Sequence, residues 1–193
     1  MIDYGLDSHK LNYHPERVSQ WLGGEEIAPI LVEICPIGRC NHRCVFCAYN
    51  YTDYKGETLD YDVLCSAIND MAKMGVKAID WDTEGEPLLH PFLPDLIVHT
   101  KRCGIDSAVE TNGVLLTEDF VRKWGYAITY IKVSVDAACN ETHHKIHRGG
   151  KNDFDKILAN IRSAVALKTG AFISIQMVLL KENEDEVVEL ARI

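Results

Sequence analysis

Hydrophobic and polar positions along the chain follow two rhythms in turn. Continuous apolar runs read as buried strands, and stretches with apolar residues every three or four positions read as amphipathic helices. "APILVEICPI" (28–37) is the first such strand. "LDYDVLCSAINDMAKMG" (59–75) then sets Leu64, Ile68, Met71 and Ala72 on one helical face and stops at Gly75. "VKAIDWD" (76–82) is a strand, and "FLPDLIVHTKRCG" (92–104) is a helix. "IDSAVE" (105–110) is a strand, and "TEDFVRKWG" (117–125) is a helix with Thr117 as N-cap. "AITYIKVSVDA" (127–137) gives the clearest strand. "FDKILANIRSAVALKTG" (154–170) stacks Phe154, Ile157, Leu158, Ile161 and Val165 on one face. "FISIQMVLL" (172–180) is a fifth strand, and a last helix starts at about Asn183. Before all of this, "HPERVSQWLGG" predicts a short helix after Pro15, closed by Gly23 and Gly24.

Strand followed by helix, five times, implies parallel strands with right-handed crossovers, hence a barrel or an open doubly wound sheet. In either architecture chemistry gathers where the strands end. Residues 1–27 form a leader and 28–193 the core, with no Pro/Ser-rich linker between them.

Composition narrows the class. At 193 residues and 47% hydrophobic, the chain supports one substantial core. A net charge of −9 argues against a protein that grips phosphate backbones, so nucleic acid is not an expected partner. No run reaches the ~18 apolar residues of a membrane span. The polar start shows no secretory signal, so a cytoplasmic location with reduced thiols is expected.

Reduced thiols bring the cysteines forward. Four of the seven fall within "ICPIGRCNHRCVFCAYNY" (34–51), three of them spaced Cys40-x-x-x-Cys44-x-x-Cys47. Structural zinc calls for four ligands, and no second CxxC or HxxxH follows. His42 could serve as the fourth, at the cost of straining both neighbouring cysteines. Three thiolates on a short polar loop suit a cubane iron–sulfur cluster with one iron left open. Buried free cysteines are the plain alternative. Cys35, Cys65 and Cys103 read as packing residues, Cys139 as a loop thiol, and His90 as structural.

This spacing, with Phe46 just before the third cysteine, resembles that of the radical S-adenosylmethionine (radical SAM) enzymes. "EGEP" (84–87) resembles the family's GGEP segment, with Glu84 in place of its first glycine. "ETNG" (110–113) is similar to its TNG turn, "VSVDA" (133–137) to its ribose-holding segment, and "IHRGG" (146–150) to its carboxylate-binding arginine–glycine pair. The likeness spans residue 28 to the C-terminus, in order, each motif after its strand. It implies a partial (β/α)6-type open TIM-like barrel of which about five βα units are present. It also implies a [4Fe-4S] cluster on Cys40, Cys44 and Cys47, with the amino and carboxylate groups of SAM on the fourth iron.

The reaction so implied is reductive cleavage of SAM to methionine and a 5′-deoxyadenosyl radical that abstracts hydrogen, driven by a reductant such as flavodoxin or ferredoxin. The SAM contacts implied are Phe46, Gly85, Glu86, Pro87, Asn112, Ser134, Asp136 and Arg148. Ser134 and Asp136 alternate along the strand and so share a face, and a carboxylate can accept from both ribose hydroxyls. Arg148 carries the planar fork that suits a carboxylate. A turn-making role for Asn112, a turn-starting Asp136 and a solvated Arg148 remain alternatives. Gln176 could face the barrel interior.

The leader and the "CNHRCVFCAYNY" wording resemble members with a C-terminal auxiliary-cluster extension, which act on peptides, sugars or other metabolites. A glycyl-radical-enzyme activase, or a non-catalytic iron–sulfur or zinc module, are the rival readings. The last helix reaches Ile193 without a cap, and the apolar edge of the fifth strand lacks a neighbour. The expectation is a fragment of a longer chain whose remainder adds a sixth strand and most substrate contacts.

Overall fold

The structure, a computed structural model, describes residues 10–52, 54, 56–82 and 84–193. Five parallel strands run in the order β1 (Leu31–Ile34), β2 (Ala78–Trp81), β3 (Asp106–Thr111), β4 (Tyr130–Ser134) and β5 (Phe172–Gln176). Each pairs in parallel with the next in sequence. Every crossover therefore steps the same way, which is the winding of a barrel; a doubly wound sheet reverses direction. Among the described residues β5 pairs only with β4, so the barrel is open.

Alternation along the strands separates two faces. Ile79, Trp81, Val109, Ile131 and Val133 are buried in one continuous core. They pack against α2 (Tyr61–Met74), α3 (Leu93–Arg102), α4 (Glu118–Trp124) and α6 (Asp153–Leu167). Each such side chain contributes about 1.5–3 kcal/mol of burial. The alternate positions, Asp80, Glu110, Lys132 and Ser134, point to the concave face. Lys132 and Glu110 form an ion pair there. Asp80 is pushed up to about 7 by burial and by the neighbouring charges of Glu110 and Asp82.

Local sequence sets the boundaries. Asp60 caps α2 by accepting from the Asp62 and Val63 amides (2.9 and 3.1 Å), and Gly75 closes it with a left-handed φ of 83°. Thr117 caps α4 through the Phe120 amide, as expected. The strands are shorter than the apolar runs that announce them: 31–34 within 28–37, and 130–134 within 127–137. The leader helix α1 (Pro15–Leu22) is tied to the barrel by Arg17, whose guanidinium donates to the carbonyls of Ala28 and Gly75.

Two features depart from the sequence reading. An additional helix, α5 (Asn140–His147), lies between β4 and α6. The helix expected from Asn183 begins as a 3-10 turn at Glu184–Glu186, and α7 covers only Val187–Leu190. Asn183 is spent on the turn, where it accepts from the Leu180 amide and donates to the carbonyls of Asp136 and Val178. Leu190 is buried, while Val187, Val188 and Ile193 are exposed.

Candidate metal and cofactor site

The cysteine loop follows β1 and leans on the C-terminal end of α5. The last carbonyls of a helix lack intrahelical partners. Here the Arg43 amide donates to the His147 carbonyl (2.9 Å) and the Val45 amide to the Ile146 carbonyl (2.8 Å). The loop is thereby fixed against a segment roughly a hundred residues away.

Its other side meets the loops after β2 and β3. The Glu86 amide donates to the Arg39 carbonyl at 2.9 Å. The two loops approach so closely that a Cβ on Gly85 would lie 2.1 Å from the Ile37 carbonyl oxygen and 2.6 Å from that of Arg39. Only glycine fits there.

The three thiols line one cavity. Burial raises Cys40, and burial together with the charges of Cys40 and Cys47 pushes Cys44 up to about 12. The thiols open on a cavity of about 740 Å³, a size suited to a small ligand. Phe46, Gly85, Asn112, Ser134 and Arg148 line it as well. Arg148 is exposed, holds a left-handed φ of 52°, and has no ion pair among the described residues. Asn112 does two things. Its Oδ1 accepts from the Val114 amide, making the turn, and its Nδ2 donates to Asn41 Oδ1 (2.7 Å) and lies 3.9 Å from Cys40 Sγ.

Three of the expected contact residues have side chains engaged or placed away from the cavity. The carboxylate of Glu86 borders the cavity but is buried and already occupied: it accepts from Thr111 Oγ1 (2.6 Å), the Asn112 amide (2.8 Å) and the Leu88 amide (3.2 Å). It joins the loops after β2 and β3, and burial pushes it up to about 7 against those bonds. Pro87 is buried at the start of a 3-10 turn and does not line the cavity. Asp136 also lies outside it. β4 ends at Ser134, and Asp136 takes a φ of 56°, so the alternation that would align the two side chains breaks. Its Oδ1 accepts from the Val178 amide at 2.5 Å and its Oδ2 sits 3.0 Å from His147 Nε2. Of the two strand-end candidates, Ser134 alone faces the cavity.

Sequence reasoning missed His147 and named His42 only as a possible fourth ligand. His147 lines the cavity, with Nδ1 3.2 Å from Cys44 Sγ. His42 is buried, pairs with Asp153 Oδ2 at 2.9 Å, and lies against Gly149, where a Cβ would come within 2.4 Å of its ring. Burial lowers His42 despite the Asp153 bond. Asp153 is disfavoured by its own burial yet held below the usual carboxylate range by the His42 and Gly150 hydrogen bonds. Ligand atoms of His42, Cys44 and His147 all lie within 4.8 Å of one another. His90 is structural: it is buried, and its ring nitrogens meet the Leu59 carbonyl and the Phe92 amide.

Comparison with known proteins places this geometry. The Radical SAM superfamily profile matches residues 34–193, and the chain belongs to that superfamily. It is 32% identical over 171 residues to a GTP 3',8-cyclase of Chlorobaculum tepidum, covering 83% of this chain and 49% of that protein. It is 29% identical over 160 residues to the tungsten-containing aldehyde ferredoxin oxidoreductase cofactor-modifying protein of Pyrococcus furiosus, covering 80% of this chain and 45% of that protein. Among solved structures, native anSMEcpe with bound AdoMet superimposes with a TM-score of 0.72 at 19% identity, over 85% of this chain and 48% of that one. Streptococcus suis SuiB bound to precursor peptide SuiA gives 0.70 at 16% identity, over 94% and 40%. The chain spans about half the length of the curated relatives it matches. The superfamily uses a [4Fe-4S] cluster and SAM, and a three-thiol loop beside an unpaired arginine and a roomy cavity fits both.

Proposed function

We propose that this chain is the SAM-cleaving core of a radical SAM enzyme acting on a peptide, sugar or other metabolite. The observation that carries the reading is that Cys40, Cys44 and Cys47 line one cavity at the strand ends, with no fourth cysteine lining it among the described residues. Those three thiolates would hold the cluster and leave one iron open. When bound, cluster and SAM supply one-electron cleavage to methionine and a 5′-deoxyadenosyl radical that abstracts hydrogen from substrate. Arg148 offers a bidentate fork to the SAM carboxylate, and Ser134 offers a hydroxyl to the ribose. Gly85 leaves backbone within reach of the amino group, and Phe46 covers the loop side. The concave face carrying Asp80, Glu110 and Lys132 borders this cavity and is where substrate would sit. A flavodoxin or ferredoxin would supply the electron.

Reconstitution under anaerobic conditions tests the assignment. About four irons and four sulfides per chain are expected, with loss of the cluster in Cys40→Ala, Cys44→Ala or Cys47→Ala and not in Cys65→Ala. With dithionite, SAM should yield methionine and 5′-deoxyadenosine. Stoichiometric zinc, with no cluster after reconstitution, would defeat the reading.

A further inference from the structure

Between the cysteine loop and α5 lies a buried cluster of three imidazoles, His42, His143 and His147. His143 stacks on His147 with centroids 4.3 Å apart and planes 15° off parallel. Among the described residues neither nitrogen of His143 has a hydrogen-bond partner, and burial, then the charges of His147 and His42, bring it down to about 3. It is a neutral plate against the His147 ring. His42 is engaged by Asp153. His147 alone bridges toward the thiols, with Cys44 Sγ 3.2 Å from Nδ1 and Asp136 Oδ2 3.0 Å from Nε2. The carboxylate sits at ion-pairing distance but out of line for a directed hydrogen bond.

Asp136 is itself held rigidly. Besides the Val178 amide on Oδ1, its carbonyl accepts from Asn183 Nδ2 at 2.8 Å. Its φ of 56° is a conformation a non-glycine residue keeps only where its surroundings enforce it. The backbone around β5 thus fixes Asp136, Asp136 fixes the His147 ring, and the ring faces Cys44.

We propose that His147, oriented by Asp136, donates its Nδ1–H to the Cys44 sulfur and so sets the reduction potential of the cluster bound there. The proposal rests on Cys44 being a cluster ligand, as argued above. An iron-bound Cys44 is a thiolate, an acceptor only, and so is the Asp136 carboxylate. With Nδ1 3.2 Å from the sulfur, the tautomer that carries its proton on Nδ1 meets that acceptor, while the Asp136 carboxylate holds the ring by proximity and not by a directed hydrogen bond. A hydrogen bond to a ligating sulfur draws charge off it and favours the electron-richer state of the cluster. His147 is a positioning residue: it touches the ligand and not the reacting carbon.

The test compares reconstituted parent with His147→Asn, His147→Gln and His147→Phe, by iron content, by EPR-monitored redox titration, and by pulsed EPR after 15N-histidine labelling. The amide nitrogen of Asn can take the place of Nδ1, whereas that of Gln reaches the place of Nε2. All four proteins are expected to hold about four irons. At a fixed reductant poise the ratio of reduced to oxidised cluster should fall about tenfold in Gln and Phe, a shift of about 59 mV for one electron. Asn should restore most of it. The parent should show a weak 15N coupling beyond that of the His42 amide, which donates to Cys40 Sγ, and this added coupling should be lost in the three variants. Equal midpoints in parent, Gln and Phe would overturn the proposal, as would strong 15N coupling showing His147 bound to iron. If the parent holds no iron, or Cys44→Ala holds as much, the cluster assignment itself has failed, and the proposal with it. If Phe does not fold, the Asn and Gln pair decides.

Discussion

Gly85→Ala isolates the contact that joins the cysteine loop to the loop after β2. The backbone at Gly85 lies outside the left-handed region, so conformation alone would admit alanine. Space does not. The added Cβ would sit 2.1 Å from the Ile37 carbonyl oxygen, 2.6 Å from that of Arg39 and 2.9 Å from the Gly38 carbonyl carbon, all backbone atoms. Carbons essentially never approach within 3.0 Å, so the two loops must part by about 0.9 Å. That separation takes the Glu86–Arg39 hydrogen bond, now 2.9 Å, out of range. Overpacking costs about 1–3 kcal/mol and the lost bond about 1 kcal/mol, giving about 2–4 kcal/mol.

Gly104→Ala is the matched control. Its φ is +75° with nothing within 4 Å, so only the conformational cost of about 1 kcal/mol applies. Urea denaturation followed by far-UV circular dichroism measures both variants. Gly85→Ala should unfold at clearly lower urea than Gly104→Ala, with the same slope. If the two midpoints coincide, the close approach of the loops does not govern stability, and the reasoning is wrong.

Two further predictions concern carboxyl groups. Asp80 sits at about 7 in the folded chain against a usual 3.8, because of burial, Glu110 and Asp82, with Lys132 opposing. The folded state therefore holds the proton longer, and stability is lost as pH rises from about 4 to about 7. Asp80→Asn should gain nothing at pH 4 and about 1–2 kcal/mol above pH 7 after allowance for solvent screening, read as a Tm difference that widens with pH; parallel curves would exclude it. Thr111→Val removes a donor to Glu86 and the acceptor of the Gly113 amide, and should cost about 1–3 kcal/mol by the same denaturation assay. A neutral result would show that water replaces the hydroxyl.

Strand–helix alternation was readable because it is written in apolar periodicity, and the core residues Ile79, Trp81, Val109 and Ile131 carry that pattern. Helix α5 was not, because its buried positions are His143, Ile146 and His147. A helix that buries imidazoles gives almost no hydrophobic signal. The cysteines announced themselves by spacing, and Arg148 by the motif around it. The placement of Asp136 was not legible, because strand alternation does not extend past Ser134 into a backbone turn held by contacts that follow β5. Glu86 was visible as a residue and invisible as a bridge, since its donors Thr111 and Asn112 lie at the end of another strand and just past it.

The docking of the cysteine loop on the end of α5 also bears on when the metal site can exist. Cys44 and His147 stand 103 positions apart in the chain. During synthesis from the N-terminus the thiols emerge long before the helix whose carbonyls anchor their loop. Until β4 and α5 are made and packed, the three cysteines belong to a loose segment open to any thiophilic ion in the cell. Only a chain folded through α5 holds their loop in this geometry. A cluster placed on these thiols in this geometry would thus follow the folding of β4 and α5.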